Sequence, residues 1–321
     1  MRNFKLLWKE SMKKYCVKLL IFVVVTGLLF GTFFLISGHE PYRSVLMYIT
    51  NSEQYGNEPS QEIIPYIEQV EKASDYTKLI VGDSVCHQLF NPFQKYNEVY
   101  CTVGSNQAIT MIGQYLLIKQ FLENHSGVSD VYLILNSMTG SGLDNGMLAY
   151  QYLVIPFSET GLLQDVTDDT KRDLENKYGK FFMRPEVIRF IDNSPMAKKI
   201  YLNTFRNENY DDMTMSVQYF DMIMKLCDQY GAQIHLLHSP MCESSREMMI
   251  QQKEKDIETC VNSVMQEKIE EYYESIVYYP DEYFSDGIHF GEDYREEYQL
   301  AQYIKDMMQK DKTLYGFALQ P

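Results

Sequence analysis

The sequence predicts an α/β protein, a doubly wound parallel sheet in three α/β/α layers preceded by one N-terminal transmembrane helix. Three observations carry this. Eighteen uncharged, mostly apolar residues run without a break from Leu19 to Ile36. From Thr77 onward, short β-prone runs alternate with helix-like stretches. Three of those runs end in Gly82, Gly104 and Asn136, residue types suited to a turn leaving a strand.

Composition sets the outer limits. At 321 residues with 45% hydrophobic content the chain can bury a full core. Its 26 Tyr and 17 Phe argue against disorder. A formal net charge of −15 argues against nucleic acid as a partner, because phosphate contacts need clustered Lys and Arg. That average conceals a split. Residues 1–18 carry Arg2, Lys5, Lys9, Lys13, Lys14 and Lys18 against Glu10, a net +5; residues 19–36 carry none; residues 37–321 hold −20.

The neutral stretch 19–36 extends about 27 Å as a helix, close to a hydrocarbon core of roughly 30 Å. The competing reading is a cleaved signal peptide. Its apolar region would be shorter, and no A-x-A-like site follows in Leu35-Ile36-Ser37-Gly38-His39. The Lys/Arg excess before the span predicts a cytoplasmic N-terminus. The expectation is a single-pass protein of the cell membrane, with residues 37–321 outside. Cys86, Cys101, Cys227, Cys242 and Cys260 follow the span with no disulfide-framework or zinc spacing, and read as scattered buried thiols with at most one bridge among them. No cofactor or metal motif is evident.

Residues 1–18 form the cytoplasmic tip, 19–36 the anchor, and 37–76 a stalk with a packing helix, its apolar positions at Ile63, Ile64, Ile67 and Val70. Residues 77–321 form the α/β domain. Its predicted strands are Lys78–Val81, Glu98–Val103, Val131–Leu135, Gln233–Leu237 and Ser275–Tyr279, each of a length suited to a buried parallel strand. Predicted helices cover Ala108–Asn124, Ser216–Tyr230, Glu243–Glu274 and Tyr294–Gln309. Strands alternating with helices imply a doubly wound, flavodoxin-like sheet, and such sheets bind ligands beyond the strands' carboxyl ends. Residues 137–213 are too long for a simple connection and read as an insertion or lid.

Two short motifs fall at that edge. Val81-Gly82-Asp83-Ser84 follows the first strand, where a serine at a tight turn exposes its hydroxyl and leaves its N–H for an oxyanion. Taken alone, the motif reads more readily as a turn with Ser or Asp as a helix N-cap. Ser285-Asp286-Gly287-Ile288-His289 supplies what a serine nucleophile needs, a base and a group to orient it. The carboxylate or backbone of Asp286 would hold Nδ1 of His289 and turn Nε2 toward Ser84. His87 and His238 are possible pocket residues, His87 reading more readily as a packed or capping histidine. His235 and His238 do not make a metal site, since strand residues three apart point to opposite faces.

Gly82-Asp83-Ser84 with Asp286-Gly287-Ile288-His289 resembles the SGNH/GDSL hydrolase superfamily over roughly 77–309, outside the insertion. The resemblance implies Ser84 as nucleophile, His289 and Asp286 as its triad partners, and an oxyanion hole from the N–H groups of Ser84 and Gly104 with Asn136. Gly104 in Val103-Gly104-Ser105-Asn106 matches the family's second block, and Arg295–Ala301 with Tyr303 its terminal helix. Two positions depart: Asn136 comes about two residues early for the third block, and Phe290 stands where Pro commonly follows the histidine.

A single span before such a domain is similar to the D-alanyl-lipoteichoic-acid assembly family and to the alginate-acetylation proteins. This implies a membrane-anchored serine esterase or O-acyltransferase acting on acylated glycans or polymers of the cell envelope, with a multi-span membrane acyltransferase as a possible partner. The alternative is an inactive scaffold in an envelope-polymer assembly complex.

Overall fold

A computed structural model describes residues 2–37, 59–91, 100–105, 110–137, 139–143, 146–205 and 214–291. The chain divides into two compact units. The first comprises residues 1–57 and 189–203; the second comprises 58–188 and 204–321.

In the first unit, α1 (Arg2–Ser37) is one helix. Its stretch Met12–Thr32 has a mean hydropathy of 2.1 and is long and apolar enough to cross a membrane. Helix α7 (Pro195–Asn203) packs against α1. Within α7 Lys198, almost wholly buried, pairs with Asp192 at 2.6 Å, the partner a buried ammonium requires.

The second unit is α/β. Strands β1 (Lys78–Gly82), β2 (Tyr100–Gly104), β3 (Asp130–Leu135) and β4 (Gln233–His238) form one parallel sheet in the order β2-β1-β3-β4. Leu79, Ile80 and Val81 are consecutive and all fully buried, so both faces of β1 are covered. The register sets Gly82 beside Gly104 and Ile134, which brings the carboxyl ends of the first three strands level. Helix α2 (Pro59–Glu71) buries Ile63, Ile67 and Val70, the spacing of one helical face, and packs on α4 (Met111–Asn124). Helix α8 (Val217–Tyr230) packs on α4 too and ends at Gly231, whose positive φ closes its last turn.

Three expectations change. The fifth run reduces to β6 (Tyr278–Tyr279), which pairs with β5 (Met241–Cys242) as a separate two-stranded sheet. The long helix over 243–274 is two helices, α9 (Arg246–Glu258) and α10 (Ser263–Glu274). Asn262 makes the break: its side chain caps α10 by accepting from the Met265 N–H at 2.8 Å. The insertion is helical, with a stretch over 146–159 containing a π-helical turn, then α5 (Asp168–Tyr178) and α6 (Pro185–Asn193) before α7. The helix expected at Tyr294–Gln309 lies outside the described residues, as do Glu98 and Val99 of the second expected strand. No disulfide joins the cysteines; Cys86, Cys101, Cys227 and Cys242 are buried as thiols.

Two glycines position the first turn. Helix α3 (Ser84–Phe90) begins directly after β1, and its backbone crosses the end of β2. A Cβ at Gly104 would stand 2.4 Å from the His87 nitrogen, and one at Gly82 would stand 2.0 Å from the Ile134 carbonyl oxygen. Neither obstacle is the tip of a flexible side chain. Gly104→Ala is therefore expected to push α3 off the sheet and to lower stability by about 1–3 kcal/mol, read as a lower denaturation midpoint with an unchanged m-value.

Candidate active site

The site begins with a buried carboxylate. Asp83 caps α3, its Oδ1 accepting from the N–H groups of Val85 at 3.0 Å and Cys86 at 3.2 Å. Its Oδ2 accepts from the Asn136 N–H at 2.6 Å and the Thr139 hydroxyl at 2.8 Å. One side chain thus ties the turn after β1 to the turn after β3. Burial pushes its pKa up, and these four hydrogen bonds oppose that rise. Ser84, the next residue, is half-buried at the start of α3, and its N–H has no hydrogen-bond partner among the described residues.

The second half arrives from 205 residues away. The segment 284–290 folds back on itself: Phe284 and Phe290 bridge antiparallel and stack with centroids 4.8 Å apart. Ser285 N–H donates to the His289 carbonyl at 2.8 Å, and Gly287 takes a φ of +84°, which glycine adopts without strain. Phe284 and Phe290 join the same apolar cluster as Val85, Cys86, Leu89 and Phe90, so one core fixes both α3 and this loop. Phe290, at the departure from the family pattern, is a packing residue there.

Within the loop, Asp286 Oδ1 accepts from the N–H groups of Ile288 at 3.0 Å and His289 at 2.8 Å, and its Oδ2 lies 2.7 Å from Nδ1 of His289. Burial raises the Asp286 pKa, but the hydrogen bonds from His289 and Ile288 outweigh it and hold the carboxyl below its usual range. An ionised carboxylate can only accept, so Nδ1 carries the proton and Nε2 presents a lone pair. That Nε2 lies 2.7 Å from Ser84 Oγ. Ser84, His289 and Asp286 therefore form one hydrogen-bonded chain running from hydroxyl to imidazole to carboxylate.

The remaining expected residues are placed differently. Gly104 N–H donates to Asn91 Oδ1 at 3.0 Å and its carbonyl accepts from Asn91 Nδ2 at 2.8 Å, so that N–H is engaged instead of facing the oxyanion site. Sequence reasoning passed over Asn91, whose only signal is its i+4 spacing from His87 on α3. The His87 Nδ1 lies within 3.1 Å of Tyr66 Oη, Asn91 Nδ2 and the Gly104 carbonyl oxygen, a packed polar cluster that accounts for its ring without any bond to Ser84. Asn136 is buried beside Asp83, with its Oδ1 accepting from the Thr139 N–H at 3.2 Å. His238 is wholly buried and does not line an open pocket: its Nδ1 donates to the Ser239 carbonyl at 2.6 Å and its ring packs on Tyr272. Burial pushes its pKa down to about 4. His235 pairs instead with Asp130 at 3.0 Å and stacks on Tyr132.

Comparison of the chain with known protein families, with curated proteins and with solved structures finds no match. What can be said of function rests on the fold and on this chain of side chains.

Proposed function

We propose that the protein is a serine esterase or O-acyltransferase of the SGNH type, anchored in the cell membrane by α1 and acting outside it on acyl esters of envelope glycans. The observation that carries the reading is the Ser84–His289–Asp286 chain at the carboxyl end of β1. Ser84 Oγ attacks the acyl carbonyl as its proton passes to Nε2 of His289. The imidazolium, steadied by Asp286, returns that proton to the departing alkoxide. The acyl-Ser84 ester is then attacked by water or by a sugar hydroxyl, which regenerates the serine. The developing oxyanion is met in this reading by the Ser84 N–H and by the side-chain amide of Asn136, a residue whose backbone N–H Asp83 binds.

The strand order β2-β1-β3-β4 and the double covering of β1 support a flavodoxin-like, three-layer sheet. The charge split and the apolar stretch of α1 support a cytoplasmic N-terminus and an external body. An envelope glycan acylated by a multi-span membrane partner is the substrate class suited to that placement.

Labelling with a fluorophosphonate tests the reading. The full chain in detergent is expected to label, and Ser84→Ala to abolish the adduct. An unlabelled wild type beside a labelled control esterase would falsify the enzyme. One observation favours the alternative, an inactive scaffold in an envelope-polymer assembly complex: Asn91 occupies the Gly104 N–H that the family resemblance assigns to the oxyanion hole.

A further inference from the structure

The turn between α5 and α6 presents two phenylalanines to solvent, Phe181 57% and Phe182 37% exposed. It is a built structure and no loose loop. Gly179 ends α5 with a φ of +85°, and its carbonyl accepts from the N–H groups of Phe182 at 2.9 Å and Met183 at 3.2 Å. The buried Tyr150 donates its hydroxyl to the Phe182 carbonyl at 3.0 Å, which fixes the turn to the insertion's core. The half-buried Met183 lines a cleft with Leu163 and Leu174, while the two rings stand outside, edge to face at 5.3 Å. The turn's own hydrogen bonds thus hold both rings at the surface.

Charge identifies the partner. Residues 37–321 hold −20, yet residues 179–185 contain Lys180 and Arg184 and no acid. Glu175 lies 4.0 Å from Lys180, and Glu186 is the nearest acid on the other side. The Arg184 guanidinium lies 5.7 Å from the Phe181 ring centroid. Aromatic rings flanked by basic side chains suit the boundary between headgroups and acyl chains, above all where the lipids are anionic.

We infer that Lys180-Phe181-Phe182-Met183-Arg184 is a membrane-docking turn, which seats the external body on the outer surface of the bilayer that α1 crosses. The inference rests on the anchor proposed above. Docking would fix the height and tilt of the Ser84 site over the membrane and favour substrates presented at its surface.

Single-tryptophan probes in the full chain test it, reconstituted into phosphatidylglycerol/phosphatidylcholine vesicles with brominated acyl chains. Trp8→Phe removes the native fluorophore. In that background Phe181→Trp is expected to emit at shorter wavelength and to be quenched by bromolipid, while Tyr230→Trp, at an exposed site elsewhere, is expected to show neither change. Adding Lys180→Glu and Arg184→Glu should abolish the Phe181→Trp quenching. A probe in the span, Phe22→Trp, separates the two claims. If it is quenched while Phe181→Trp behaves like Tyr230→Trp, the docking turn is overturned and the anchor stands. If Phe22→Trp is itself unquenched, the anchor and the docking turn fall together.

Discussion

His289→Ala is expected to lower turnover of an activated acetyl ester by on the order of 10³- to 10⁶-fold while leaving the fold intact. Without the imidazole, Ser84 loses the base bonded to its hydroxyl, and at neutral pH an alcohol is a poor nucleophile. The fold should survive because the loop is closed by the Phe284–Phe290 stack and by backbone bonds, none of which uses the imidazole. Stability should therefore change by about 1 kcal/mol or less. Asp286→Asn should be milder, roughly 10²- to 10⁴-fold, since the Asp286 side chain is 54% exposed and water can partly stand in for it. The pH dependence of stability gives a second readout. The folded pKa of Asp286 is depressed, so its contribution is present above the unfolded carboxyl value of about 3.9 and is lost as pH falls through the folded value. Asp286→Asn should remove that acid-side loss. Turnover by His289→Ala within tenfold of wild type would overturn the assignment of the base.

Much of this site is legible in the sequence, and what is not has physical causes. Ser84, Asp286 and His289 were readable because nucleophile, base and orienting group must be particular residue types, and two of the three sit within one short loop. Strands β1 to β4 were readable as short β-prone runs, of which β1 to β3 are buried on both faces. Gly104 was identified as important, but sequence spacing does not say which of its atoms matters. The structure shows a close passage of α3 over a missing Cβ, with the N–H given to Asn91. The Asn91–His87–Tyr66 cluster draws on α3 and α2, and a contact across elements leaves no periodic trace in the chain. The division of residues 243–274 turns on a single cap, Asn262, within a stretch whose charged pattern continues on both sides. Asp83 ties the two turns through four hydrogen bonds, and of these only the helix cap has a local sequence signal.

Asp83→Ala should be the most damaging change to stability at the site, although Asp83 itself touches no substrate in the proposed mechanism. Removing the carboxylate uncaps α3, at about 0.5–2 kcal/mol. It also leaves the buried Asn136 N–H without its acceptor, at about 1–3 kcal/mol more. Thr139 is spared, because its hydroxyl can donate to the Asn136 carbonyl at 3.0 Å. The expected loss is about 2–4 kcal/mol, on the order of 10 °C in Tm for a domain of this size. Asp83→Asn isolates the bridge. An amide can keep its oxygen on the Val85 and Cys86 N–H groups, but it then sets an NH₂ against the Asn136 N–H, so it should recover the cap and not the tie. Its Tm should fall between the other two. Burial raises the folded pKa of Asp83, so ionising it costs more in the folded state than in the unfolded chain. Its contribution to stability must then decline as pH rises from the unfolded value of about 3.9 through the folded one, the opposite slope to Asp286. Both variants should lack that slope in a comparison with wild type. Because Asp83 joins the turn bearing Ser84 to the turn bearing Asn136, Asp83→Ala should also lose fluorophosphonate labelling below its own Tm. A variant with wild-type Tm and labelling would mean that the two turns hold their places without the carboxylate.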